Sequence, residues 1–127
     1  MKNEDIKILL IEDDPFLSSM YDTKFKLEHF EVMIAPDGAE GLELAKSKNP
    51  SIILLDIMLP KVNGFDVLRE LKANAKTKNI PVILLSNLSQ KDEVDEGLEL
   101  GAEEFVIKAY VTPTEMVNKI KNRFNLA

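Results

Sequence analysis

The stretch SIILLDIMLP, residues 51–60, decides how this chain is read. Ile52 to Leu55 is an unbroken aliphatic run of the kind that disappears into a core. It ends on a carboxylate, Asp56, and a proline follows at position 60. A buried carboxylate is costly unless it is paired or liganded. The reading therefore turns on what Asp56 meets.

Working outward, the same pattern recurs. Short apolar runs stand at 7–11 (KILLI), 31–35 (EVMIA), 81–86 (PVILLS) and 104–108 (EFVIK), besides 51–56 itself. Amphipathic stretches lie between them. Leu17, Met20, Tyr21, Phe25 and Leu27 mark the first, and Gly41, Leu42 and Ala45 the second. Phe65, Val67, Leu68 and Leu71 mark the third, Val94, Leu98 and Leu100 the fourth, and Met116, Val117, Ile120 and Phe124 the last. Steps of three and four residues give each helix one apolar face. Asp14-Pro15 reads as an N-cap with proline at the first helical position. Asp37 with Glu40, and Thr112 with Glu115, have the spacing of capping boxes. Gly101 suits a left-handed helix end. Five βα units in succession predict a doubly wound α/β fold, a parallel sheet with helices on both faces. The most continuous runs, the first, third and fourth, are expected at the centre, with the second and fifth at the edges.

Composition narrows the function. The chain has 127 residues, 45% apolar and 30% charged, which suits one globular domain over 1–127 with its core at about 6–125. There are no cysteines, so disulfides and thiolate metal sites are excluded. No apolar run has the length of a membrane span and no signal peptide precedes Ile6, so the expected location is cytoplasmic. Sixteen basic residues against 22 acidic ones give a net charge of −6, which argues against direct nucleic-acid binding.

Ligands in such sheets bind at the carboxyl ends of the strands. Strand 1 ends in Glu12, Asp13 and Asp14, strand 3 in Asp56, strand 4 in Ser86 and Asn87, and strand 5 in Lys108. Asp14 is spoken for as a helix cap. Unit charges about 5 Å apart repel by roughly 3 kcal/mol at an effective dielectric of 20, and Lys108 offsets only part of that among Glu12, Asp13 and Asp56. A hard divalent cation, Mg²⁺ above all, suits such an all-oxygen set. A cation held beside a lysine and a hydroxyl is a receptor for a phosphoryl group, with Asp56 as the attacking carboxylate.

The chain closely resembles the receiver domain of two-component response regulators, of which the chemotaxis receiver is the minimal form. The resemblance covers about residues 6–125. It rests on ILLIEDD at strand 1, Asp56-Ile-Met-Leu-Pro60 with Asn63-Gly64, Ser86 after strand 4, and Lys108 after strand 5. It implies a flavodoxin-like strand order of 2-1-3-4-5 and makes Asp56 the phosphoacceptor. Asp13 becomes a direct Mg²⁺ ligand, Glu12 a ligand through water, and the Met58 backbone carbonyl a further ligand. Ser86 becomes the switch hydroxyl, Lys108 the phosphoryl-pairing lysine and Phe105 the switch aromatic residue. The implied donor is a histidine kinase or histidine phosphotransfer protein, and the implied output is a downstream effector protein or domain, reached through the helix 4–strand 5–helix 5 face. A phosphorylation-dependent homodimer is a further partner the family allows. Such a domain is a signalling module rather than an enzyme, although it catalyses its own phosphorylation and dephosphorylation.

Three positions depart from the family pattern. Asn87 follows the switch hydroxyl where a small residue is common, and Asn63 replaces an aspartate before Gly64. Ala109 follows Lys108 where proline, usually after a cis bond, is typical. A cis bond before alanine costs about 2.5–4 kcal/mol, against about 0.5–1 before proline, so a trans bond and a different route for residues 108–112 are expected. Met58 and Leu88, two positions beyond the phosphoacceptor and the switch hydroxyl, are apolar and predict slow loss of the phosphoryl group. Other residues carry less. His29 is expected at a helix end, the charged run Lys91–Glu96 on a solvated face, and Tyr110 partly buried in a loop. Two rival readings differ in class. An aspartate-nucleophile hydrolase would place a D-x-D pair at strand 1, where the acids here run consecutively. A phosphorylation-independent interaction module would have no need of the acid set.

Overall fold

The run Ile52–Asp56 is the middle strand, β3, of a five-stranded parallel sheet, buried along its whole length. The computed structural model describes residues 1–87 and 91–126. Along the chain lie β1 (Lys7–Ile11), α1 (Pro15–Leu27), β2 (Glu31–Ala35), α2 (Gly38–Lys48), β3, α3 (Gly64–Ala73), β4 (Val82–Ser86), α4 (Lys91–Glu99), β5 (Glu104–Ile107) and α5 (Pro113–Arg123). Short 3-10 turns occupy Asn3–Asp5 and Lys108–Tyr110. The strand order is β2-β1-β3-β4-β5, as the resemblance implied, with the three most apolar strands at the centre.

The strands alternate their side chains between two cores. Ile8, Leu10, Leu54, Leu85 and Val106 pack with Tyr21 and Phe25 of α1 and with Met116, Val117 and Ile120 of α5. Leu9, Ile11, Ile53, Leu55 and Leu84 pack on the other face with Ala45 of α2 and with Val67, Leu68 and Leu71 of α3. This two-sided burial is why the central strands read as continuous apolar runs. Register sets the site. Ile11 pairs with Leu55, so Glu12 and Asp56 follow side by side, and Ser86 pairs with Ile107, the residue before Lys108.

Helix starts follow the local chemistry. Asp14 caps α1, accepting from the Phe16 amide at 3.0 Å, with Pro15 at the first position. Asp37 caps α2 through the Glu40 amide. Thr112 and Glu115 form the full reciprocal box of α5. Gly101, with φ of 109°, turns the chain after α4. His29, with φ of 68°, ends α1 as expected.

The structure corrects several expectations. In α1, Met20 and Leu27 face solvent, being 42% and 70% exposed, while Ser18 is buried in their place. Periodicity fixes the spacing of a face but not its phase when apolar residues flank it on both sides. With Phe16 and Pro113 these residues line an open apolar groove between α1 and α5. In α4, Leu98 is exposed and the residue turned inward is Gly97, where a Cβ would collide with Leu84 Cδ1. The small residue lets the helix lie close against β4. Tyr110 is 76% exposed rather than partly buried, carried outward by the 3-10 turn.

Candidate functional site

Glu12, Asp13, Asp56 and Lys108 converge at the carboxyl edge of the sheet. Carboxylate oxygens of Glu12, Asp13 and Asp56 lie within 4.8 Å of one another. Glu12 and Asp56 are buried and Asp13 is exposed. The Lys108 ammonium joins the two buried acids, at 2.6 Å from Glu12 Oε1 and 2.8 Å from Asp56 Oδ2. Backbone amides complete the arrangement. Asp14 donates to Glu12 Oε2 at 3.1 Å, and Met58 donates to Asp56 Oδ1 at 3.0 Å. Asp56 thus keeps one oxygen on the main chain and the other on Lys108.

The electrostatics follow from burial. Desolvation raises the Glu12 carboxyl above its ordinary range, against the lowering effect of Lys108 and the Asp14 amide. Asp13 is also raised, by lost hydration and then by its neighbour Glu12. Burial works against the Lys108 ammonium, yet its hydrogen bonds to Asp56 and Glu12 outweigh that and raise it overall. One ammonium faces three carboxylates, so the cluster retains an excess of negative charge and offers only hard oxygen donors. That donor set fits Mg²⁺.

Ser86 is fully buried at the end of β4, one strand over from Asp56. Phe105 is half-buried on β5 and reaches α4, within 3.6 Å of the position a Gly97 side chain would occupy. Met58 is 62% exposed beside the acids. Leu88 lies outside the described residues, and Asn87 is exposed. The Lys108–Ala109 bond is trans, since the described residues contain no cis peptide bond.

Two features escape inspection of strand ends. Gly64 is one. Its amide donates to the Ile57 carbonyl at 2.7 Å, and a Cβ there would meet Ile57 Cα at 2.5 Å and the Asp56 carbonyl oxygen closer still. Only glycine lets α3 begin directly behind Asp56, while Asn63 caps that helix through the Asp66 amide. The Asn-Gly dipeptide was the available signal. The other is Lys108's grip on Glu12 as well as Asp56, which depends on rotamers.

Residues 8–121 match the model of the response regulator receiver domain. The chain belongs to that family. This receiver domain is 36% identical over 104 residues to the DNA-binding dual master transcriptional regulator RpaA of Synechocystis sp., covering 82% of the chain and 43% of the relative. It is 34% identical over 117 residues to the DNA-binding response regulator MtrA of Mycolicibacterium smegmatis, covering 92% and 50%. It thus spans about half the length of these curated relatives. Among solved structures it is similar to the Francisella response regulator 1452 receiver domain, with a TM-score of 0.86, 28% identity and coverage of 94% and 97%. Family membership sets aside the hydrolase reading. The relatives' names do not bear out the expectation of no direct nucleic-acid contact. Among the described residues of the receiver domain, no helix is long and apolar enough to cross a membrane.

Proposed function

We propose that this receiver domain takes a phosphoryl group from a phosphorylated histidine kinase or histidine phosphotransfer protein onto Asp56. The observation that supports this best is Lys108 held between Asp56 and Glu12, with Asp13 alongside. A carboxylate oxygen of Asp56 attacks phosphorus, the bond from phosphorus to the donor imidazole nitrogen breaks, and the imidazole keeps that electron pair. Lys108 then pairs with a phosphoryl oxygen, and the Ser86 hydroxyl donates to another. Mg²⁺, when bound by Asp13, Asp56 and the Met58 carbonyl and through water by Glu12, supplies positive charge to the phosphoryl oxygens. In a separate hydrolytic step water attacks phosphorus, the bond from phosphorus to the Asp56 oxygen breaks with its electron pair left on the carboxylate, and inorganic phosphate leaves. The domain thus catalyses its own phosphorylation and dephosphorylation but turns over no separate substrate.

The new dianion draws Ser86 inward and Phe105 follows, which shifts the population of the α4–β5–α5 face toward its signalling form. That face reports to a downstream effector, by analogy with the DNA-binding relatives a DNA-binding domain, and a homodimer of phosphorylated copies is a further outlet. The working unit is about residues 6–125, and the setting is cytoplasmic, where histidine kinases present their phosphoryl groups.

The test is incubation with acetyl phosphate and Mg²⁺ followed by intact-mass analysis. One phosphoryl group should be added, chelation should stop the reaction, and Asp56→Asn should abolish it. Undiminished labelling of Asp56→Asn overturns the assignment. Absence of labelling in a folded, Mg²⁺-supplied protein favours an interaction module that works without phosphorylation.

A further inference from the structure

A groove of about 600 Å³ lies between the Ile57–Pro60 loop, Phe65 of α3 and Glu93 of α4. Its walls are apolar apart from Asn63 and Glu93, and the Asn63 side-chain oxygen is already committed to capping α3. Glu93 is different. Its Oε2 is screened from solvent in this conformation and accepts no hydrogen bond from the described residues, so a donor in the groove reaches it once the Glu93 side chain turns toward the groove that it lines. A buried carboxylate oxygen without a donor is costly. Two neighbouring acids of α4 are matched, Asp95 by Lys91 at 3.7 Å and Glu96 by Arg69 at 3.3 Å.

The surroundings define what would satisfy Glu93. Asp92, Asp95 and Glu99 are exposed along α4, and its one basic residue, Lys91, is the partner of Asp95. The half-buried ring of Phe65 and the side chain of Leu59 form the apolar wall. We propose that this groove receives an arginine side chain carried, with an apolar neighbour, on a basic segment of a partner protein. A guanidinium brings several donors in one plane to a carboxylate and stacks its face on an aromatic ring, which a lysine ammonium does less well. The apolar neighbour covers Leu59 and Pro60. The acid row on α4 continues past the groove, so an extended basic segment meets charge that a compact ligand leaves unmatched. The surface lies on the α3 side of α4, away from the α5 side proposed for output. Binding here does not rest on phosphorylation of Asp56.

The experiment is a titration of ¹⁵N-labelled protein, without phosphodonor, with an acetylated, amidated pentapeptide holding arginine between two leucines. Saturable shifts should centre on Met58, Leu59, Phe65 and Glu93. Replacing the arginine by neutral citrulline should weaken binding at least tenfold, and so should Glu93→Gln, while Glu99→Gln should change it little. The citrulline arm needs no protein variant, so a misfolded Glu93→Gln does not spoil the test. Equal affinity for the citrulline peptide, shifts spread along the outer face of α4, or equal losses in Glu93→Gln and Glu99→Gln overturn the proposal. So does free arginine binding as tightly as the peptide, which would make this a small-ligand site.

Discussion

Lys108 Nζ lies 2.8 Å from Asp56 Oδ2, a contact made from the turn after one edge strand to the end of the central strand. The same ammonium reaches Glu12, so one cation stands between two buried acids.

Removing that cation should expose the repulsion it masks. Lys108→Met leaves Glu12 and Asp56 buried without a counter-charge, and breaking a buried pair costs about 3–5 kcal/mol. Denaturant unfolding without metal should show a loss of that order. Millimolar Mg²⁺ should restore more stability to the variant than it adds to the wild type. Equal Mg²⁺ effects on the two proteins would count against a shared carboxylate cluster.

The pH dependence has two limbs. The Lys108 pKa is raised above 10.5, so its stabilisation is complete below that value and is lost as pH rises through the folded pKa. The stability gap between wild type and Lys108→Met should therefore persist to pH 10 and close only beyond 10.5. Glu12 is raised above 4.5, so its contribution is complete below 4.5 and is lost as pH climbs through its folded value. Relative to Glu12→Gln, the wild type should gain stability as pH is lowered from neutrality toward 4.5. A wild-type advantage over Glu12→Gln that grows with rising pH would reverse the assigned sign.

Gly64→Ala should damage the site beyond its effect on the fold. Its Cβ would strike main-chain atoms of Ile57 and Asp56, which cannot move aside cheaply, whereas a Gly38 Cβ meets the end of the Val67 side chain at 2.7 Å. Overpacking costs about 1–3 kcal/mol. Thermal melts should place Gly64→Ala below Gly38→Ala. Acetyl phosphate labelling should fall in Gly64→Ala at temperatures where it remains folded. Equal labelling of the two variants would show that α3 can retreat without moving Asp56.

The exposed thioether of Met58 offers no hydrogen bond of ordinary strength to an attacking water. An asparagine there can orient one. A hydrogen bond is worth about 1 kcal/mol, which corresponds to about fivefold in rate. Met58→Asn should shorten the life of phosphorylated Asp56 by about that factor, read as decay of the phosphorylated mass after donor removal. Unchanged or slower decay refutes the idea. Leu88→Glu, combined with it, should add to the effect.

The strand-end reading succeeded where backbone geometry alone decides. Parallel strands bring their carboxyl ends to one edge, so Glu12, Asp13, Asp56, Ser86 and Lys108 could be grouped from the runs that precede them. β1 and β2 match the expected bounds, and β3 and β4 begin one residue later, after Ser51 and Pro81. Lys108 falls just outside β5, in the turn. Reading failed where side chains choose between faces. Met20 and Leu27 satisfy a helical spacing yet point outward, and Gly97 packs inward because it has no side chain to point. The unsatisfied oxygen of Glu93 is a property of three-dimensional surroundings, invisible in a run of charged letters.

The order of synthesis gives the Lys108 contact a further meaning. Its two partners are 52 positions apart. Glu12, Asp13 and Asp56 all lie in the first half of the chain, at the carboxyl ends of the adjacent strands β1 and β3, and the cation that meets Glu12 and Asp56 among the described residues follows the last strand. A growing chain that pairs β1 with β3 brings three acids together before Lys108 exists. Distant pairings close late in parallel sheets, because loop entropy is spent before the contact forms. The site with its counter-charge in place therefore appears only when β5 has docked, so an intact pocket certifies that the whole sheet has been assembled.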